Sequence, residues 1–249
     1  MIPVSGGTMI QKLALFTALM FGFTIAQDAV APKAADLLEK ARTAHGGAAL
    51  ENLKTYREAT ALIYYTPNGS VGVEVSAVTV VDFAAERLRF EVSQAGQLIE
   101  IDQVSPTDAW SWTKQTGTIK LPNVQAKPLR ESFYQSWYGL RFGGKNREAA
   151  SADGPQTFAD QKGEAVTVTT KGAKAAYLFD TNGVLVAEKS QVLQIGEVVT
   201  VYGAYRAVDG IQIPFEGVGY VGAQKFFAAK VEDAKINPAL TEADFAPPK

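Results

Sequence analysis

The sequence predicts an α+β protein built on a single antiparallel sheet with helices on one face. Three observations carry this. From residue 56 onward most of the chain alternates apolar and polar residues with a period of two, broken at short Gly, Asn and Asp turns. Two stretches, 34–45 and 128–142, carry a clear helical period. No linker is long enough to divide residues 27–249, so they read as one domain.

The chain has 249 residues and opens on a targeting segment. Lys12 precedes an uninterrupted apolar run, 13–25 (LALFTALMFGFTI), which suits a signal-peptide core and is short for a membrane span. Thr24 and Ala26 place small residues where a signal peptidase reads, so residues 1–26 are expected to be removed before Gln27. Met9 is a more natural start than Met1. The chain has no cysteine, which excludes disulfides, cysteine-ligated zinc, thiol chemistry and a lipid-anchoring cysteine. An exported, unanchored chain of this kind is expected in the periplasm, as a monomer.

Residues 34–45 (AADLLEKARTAH) form the first helix, with Leu37, Leu38, Ala41 and Ala44 on one face and Gly46-Gly47 ending it. Residues 56–66 and 71–83 flank Pro67-Asn68-Gly69-Ser70, a hairpin turn. Leu88, Phe90 and Val92 alternate with Arg89, Glu91 and Ser93, and a further strand covers 97–103. Trp110 and Trp112 are two apart and so share a face of the next strand. Residues 128–142 (PLRESFYQSWYGLRF) form the second helix, with Pro128 as its first residue and Leu129, Phe133, Trp137 and Leu140 in one stripe. Its five aromatics fit either a plug in a core or a lid over an apolar cavity. Residues 145–164 are polar and read as a loop. Strands resume at 165–170 and 175–179. The final third, 183–249, reads as consecutive strands separated at Gln194-Ile195-Gly196, Val208-Asp209-Gly210 and Gly222-Ala223-Gln224. Residues 223–234 are open to either helix or strand.

Composition and motifs exclude more than they assign. A net charge of −2 and a pI near 5.6 give no footprint for nucleic acid. Gly217-Val218-Gly219-Tyr220-Val221-Gly222 matches a dinucleotide fingerprint, but too little chain follows it to complete that fold; glycines in a bent strand explain it better. Ser111-Trp112-Thr113-Lys114 matches S-x-x-K, yet in a strand Ser and Lys point to opposite faces. His45 is the only histidine, and its place at a helix end suits a capping role. No case for catalysis, a metal or a cofactor emerges.

The chain resembles the outer-membrane lipoprotein-sorting family, the LolA/LolB-like superfamily. The resemblance rests on ADLLEKARTAHGG followed by LENLKTYREATALI, on the hairpin-rich sheet interrupted by one aromatic helix, and on the ending YRAVDGIQIPFEGVGY with KFFAAKVEDAKINPALTEADFAPP. It implies an unclosed antiparallel β-barrel of about eleven strands whose open, concave side is covered by helices. It favours a strand over 226–231 and gives the aromatic helix the role of a cover. The implied activity is that of a periplasmic carrier. Such a carrier holds the acyl chains of lipids or lipoproteins and takes them from inner-membrane donors toward outer-membrane acceptors. An envelope sensor or protein-binding module on the same fold is the alternative. Strand alternation and the helical stripe nominate Val73, Val75, Phe90, Val92, Trp110, Trp112, Phe133, Trp137, Val199, Val201 and Phe227 as cavity liners. Five arginines, Arg57, Arg87, Arg89, Arg141 and Arg206, could serve as the family's gating arginine, and no motif selects among them.

Overall fold

The computed structural model of the protein describes residues 30–192 and 195–248. The segment read as a signal peptide, its cleavage site, and Gln194 of one predicted turn lie outside the described residues. The chain opens with α1 (Pro32–Ala44) and the short α2 (Ala48–Glu51). Six strands follow: β1 (Thr55–Tyr65), β2 (Val71–Asp82), β3 (Arg87–Gln94), β4 (Gln97–Val104), β5 (Ala109–Thr113) and β6 (Gly117–Lys120). A helical crossover comes next. The last strands are β7 (Ala149–Phe158), β8 (Gln161–Thr170), β9 (Ala173–Phe179), β10 (Leu185–Val192), β11 (Gly196–Val208), β12 (Ile211–Val221) and β13 (Gln224–Ile236).

Among the described residues these thirteen strands form one unclosed sheet in the order β6-β5-β4-β3-β2-β1-β13-β12-β11-β10-β9-β8-β7. The strand count is slightly above the expected eleven. Residues 226–231 lie in β13, a strand as expected. All neighbours but one are consecutive in the chain. The exception is β1 against β13, in register from Tyr56↔Ile236 to Tyr64↔Phe227 with one bulge. The order has a geometric consequence. The edge strands β6 and β7 follow one another in sequence, so their connection has to span the open side of the sheet.

That connection differs from the single helix expected over 128–142. Helix α3 spans Asn123–Glu131 with Pro128 inside it, followed by 3-10 turns at Ser132–Tyr134 and Trp137–Phe142. The break falls at Ser136, with φ 61° and ψ −176°. Only glycine adopts this region readily, at a cost of roughly 1–3 kcal/mol for other residues. Gly143 ends the last turn, as expected. Residues 145–164 are not a loop: they contain β7 and the start of β8. As an edge strand β7 pairs on one side only and is largely exposed, which tolerates Pro155 and removes the alternation that would have marked it.

Helix α1 starts two residues before the expected 34, with Pro at its first turn, and buries Ala34, Leu38 and Ala41. His45 caps it and is fully buried. Its Nδ1 lies 2.9 Å from the carbonyl of Ala41 and donates to it, leaving Nε2 to accept the Leu185 N–H at 3.5 Å. Burial pushes its pKa down, so the ring is a neutral cap. Gly46 takes φ +122°, and a Cβ there would meet the Gly210 carbonyl oxygen at 2.6 Å.

The two faces of the sheet carry different loads. On the concave face the row Tyr56, Val81, Leu88, Val104 and Ala109 runs across five strands. It joins Leu38, Leu50, Trp137 and Leu140 in one buried cluster. Each fully buried Leu or Val of this cluster contributes roughly 1.5–3 kcal/mol. The C-terminal tail packs on the convex face. Asn237 turns the chain off β13, its side-chain oxygen accepting the N–H of Lys54 at 2.7 Å. Thr241 and Asp244 form a capping box. Phe245 lies under the Arg87 guanidinium, 4.3 Å from it, and Arg87 also pairs with Glu242 and Asp82.

Candidate functional site

The crossover covers one end of the concave face, and aromatic packing holds it there. Trp137 packs edge-on against Tyr56, with ring centroids 5.2 Å apart and planes at 81°, and against Tyr138 at 5.5 Å. Arg141 lies half-buried beneath it, donating to the carbonyls of Phe133 and Tyr138 and stacking on Phe83 and Phe142 at 4.2 and 4.3 Å. Burial pushes its pKa down to about 10. Of the five arginines considered, it is the one tied to the crossover. Arg87 and Arg89 bond the tail, Arg57 lies near Asp244, and Arg206 sits over Phe215.

A second tie runs from the sheet. Glu188 of β10 is 3% exposed and accepts the Ser136 N–H at 3.0 and 3.1 Å and the Tyr202 hydroxyl at 2.8 Å. It thereby holds the strained break of the crossover against the sheet. Burial pushes its carboxyl up to about 7, with the two donors pulling the other way.

Beside the crossover opens a cavity of about 750 Å³, within the usual range for small-molecule sites. One wall is Glu100, Asp102, Ser111 and Ile119 from β4–β6, the next is Leu121 and α3 with Gln125, Pro128 and Leu129, and the far side is Gln191, Val192 and Ile195. Sequence reasoning missed every one of these as a cavity residue, although Leu129 lay on the predicted stripe. The signal was present in β4: register turns Glu100 and Asp102 inward with Val104, while Ile101 faces outward opposite Trp112. An apolar-inward assumption therefore inverts this strand.

Seven of the eleven expected liners are on the concave side. Val73 and Val75 oppose Tyr64 and Leu62, Val92 opposes Ala77, Phe90 opposes Thr79, and Phe227 opposes Tyr64. Phe133 and Trp137 are buried on the underside of the crossover. The other four are on the convex face. Trp110 pairs with Gln103 and lies under Arg89, whose Nη1 donates to the carbonyl of Ala246 in the tail. Trp112 shares that face, as their spacing required. Val199 and Val201 pack on the convex cluster of Phe158, Leu178 and Ala187.

The glycine motif also acquires a structural reason. Gly217 and Gly219 lie in β12, and a Cβ on Gly219 would stand 2.0 Å from the Phe227 ring. The ring lies over the glycine. A Gly219→Val protein should expel that ring and lose about 1–3 kcal/mol of stability, read as a lower urea midpoint; an unchanged midpoint would show that the ring moves freely.

No family model matches the chain, and no curated protein sequence matches it. Solved structures do. The fold is LolA-like. It is shared with an outer membrane lipoprotein-sorting protein domain from Vibrio parahaemolyticus (11% identity, 86% of this chain and 96% of that one, TM-score 0.57). A LolA superfamily protein from Nitrosomonas europaea aligns over 86% and 97% at 12% identity, TM-score 0.56. A DUF1329 family protein from Desulfovibrio piger aligns over 86% and 96% at 9% identity, TM-score 0.60. Among the described residues no helix is long and apolar enough to cross a membrane.

Proposed function

We propose that the protein is a periplasmic carrier that holds the acyl chains of lipids or lipoproteins on its concave face, beneath the crossover, and passes them across the cell envelope toward the outer membrane. The observation that carries the reading is the cavity beside the crossover, set in an unclosed barrel whose uncovered concave rows bear half-buried Val73, Val75, Phe90, Val92 and Phe227. A buried CH₂ contributes about 0.8 kcal/mol, so an acyl chain gains affinity there without any reacting group. A lipoprotein-sorting domain and a LolA superfamily protein share the fold, in keeping with this use. Binding rather than catalysis also fits His45, the residue a triad would require, since both its ring nitrogens are engaged. The reading takes residues 27–249 as one unit, with residues 1–26 directing export, and the working form as a monomer. Native mass spectrometry of protein taken gently from the envelope should show bound lipid. Protein that carries none and takes up no fluorescent fatty acid would overturn the reading.

A further inference from the structure

Arg141 uses only part of its guanidinium. Its Nη1 donates to the carbonyls of Phe133 and Tyr138 at 3.1 and 3.0 Å. Its Nε and Nη2 have no hydrogen-bond partner among the described residues. Neither is sealed away, because the buried side-chain atoms without a partner are the Thr60 hydroxyl and the Nε of Arg87. Arg147 nearby is different. All three of its nitrogens are engaged, Nε with Gly143, Nη2 with Gly139 and Nη1 with Thr170. Nε and Nη2 of one guanidinium form the edge that grips an oxyanion through two parallel N–H groups. In Arg141 that edge is held in place, with the Phe83 and Phe142 rings 4.2 and 4.3 Å from the guanidinium. A pKa pushed down to about 10 still leaves it charged at neutral pH.

Arg141 lines a second cavity, of about 270 Å³, on which three turns of the chain converge. The loop into β1 brings Lys54, the turn after β2 brings Phe83, and the end of the crossover brings Phe142 and Lys145. Both lysines are exposed. Among the described residues neither they nor Arg141 belong to an ion pair. The carboxylate on the wall, Glu51, is taken by Arg42 at 3.0 Å. Glu39 and Glu86, close enough to feel Lys145 and Arg141, are bonded to Arg42 and Lys171. Three cations therefore converge where the acids are already paired. They repel one another, and an anion set between them turns that repulsion into attraction. Among the described residues this cavity shares none with the one beside the crossover.

We propose that this second cavity is an oxyanion site that takes a phosphate group, either free or as the headgroup of a phospholipid. The open edge of Arg141 receives two oxygens, and the ammonium groups of Lys54 and Lys145 receive the others. Donors arriving from three directions suit a tetrahedral anion; a planar carboxylate would be satisfied by the Arg141 edge alone. The site does not depend on the carrier reading. A phospholipid headgroup would extend that reading, and free phosphate would be a separate ligand.

The test is calorimetric titration of the full-length mature protein in phosphate-free buffer at pH 7.5 and constant ionic strength. The titrants are inorganic phosphate, acetate and dihexanoylphosphatidylglycerol, the last below its micelle-forming concentration. Phosphate should bind roughly tenfold more tightly than acetate. The Lys54→Gln, Lys145→Gln double variant should weaken phosphate about ten- to hundredfold, the loss expected for charge-assisted hydrogen bonds, with its unfolding midpoint unchanged in the absence of phosphate. Arg141→Lys keeps the charge but loses the two-nitrogen edge, and should weaken phosphate by a similar factor. If Arg141→Lys does not fold, the lysine variant decides alone. Phosphate bound no more tightly than acetate overturns the proposal, as does a phosphate affinity that the lysine variant leaves unchanged. The lipid separates the two sources. Lipid bound more tightly than phosphate and weakened in the lysine variant assigns the site to a headgroup; lipid bound no more tightly than phosphate assigns it to the free anion. Lipid bound equally by parent and lysine variant, with no phosphate binding, overturns the oxyanion site and leaves the carrier reading standing.

Discussion

Between pH 4.5 and 8 the parent protein should lose about 3 kcal/mol more stability than Glu188→Gln. The carboxyl is pushed from an ordinary 4.5 up to about 7 by burial. Below pH 4.5 it is neutral in both the folded and the unfolded chain, and its full contribution to stability is present. Between 4.5 and about 7 the unfolded chain releases the proton and the folded chain keeps it, so stability falls as pH rises. Above about 7 the loss is complete. The amide has no proton to release, and its oxygen still accepts from Ser136. Glu58, Asp102 and Glu100 are shifted in the same direction and slope both proteins alike, so the difference between the two curves isolates Glu188. Urea unfolding at pH 4, 6 and 8 measures it; parallel curves would mean that Glu188 ionises freely in the folded protein. Glu188→Ala is expected to behave differently, destabilising at every pH, because it strands the Ser136 N–H and the Tyr202 hydroxyl at about 1–3 kcal/mol each.

Trp137→Ala should cost about 3–5 kcal/mol, the range for removing a large buried aromatic. Trp137 is 4% exposed and touches both Tyr56 on β1 and Tyr138 in the crossover. It fastens the crossover to the middle of the sheet, and the void it leaves opens between Tyr56 and Tyr138. Thermal or urea unfolding reads the loss. A cost below about 1 kcal/mol would show that the crossover is fastened elsewhere, with Arg141 and Glu188 the places to look.

The sequence carried the α+β class, the hairpin succession and the aromatic stripe, because these rest on local period and turn chemistry. What it could not carry depends on partners far along the chain. The break at Ser136 is held by a carboxylate 52 residues away. No local pattern announces that, and the aromatics at i and i+4 suit a continuous helix equally well. Trp110 and Trp112 share a face, as spacing demands, but which face was decided by register against Ile101 and Gln103 and by a tail that shields Arg89. The same register turned Asp102 inward. An edge strand with Gly154 and Pro155 in it leaves almost no signature, so β7 was hidden in what read as a loop. The closing pattern around Asn237 and Asp244 was legible as a motif; the structure supplies its reason, a capped tail clamped to the outer face of the first strands.

The pairing of β1 with β13 has a consequence for how the molecule is made. A chain emerging from the ribosome, or from a membrane pore, can form β1–β6 as one meander and β7–β13 as another, each by local hairpins. The seam between them joins Tyr56 to Ile236 and cannot close until the last strand is available. Until then the long inner edge of β1, with Leu62 and Tyr64, stands open to any other strand. A contact so distant in the chain is slow to close. The tail that follows at once, from Asn237 to Phe245, bolts onto β1 and β3 across that same join, so the final residues of the chain act as the fastener of the whole sheet rather than as its fringe.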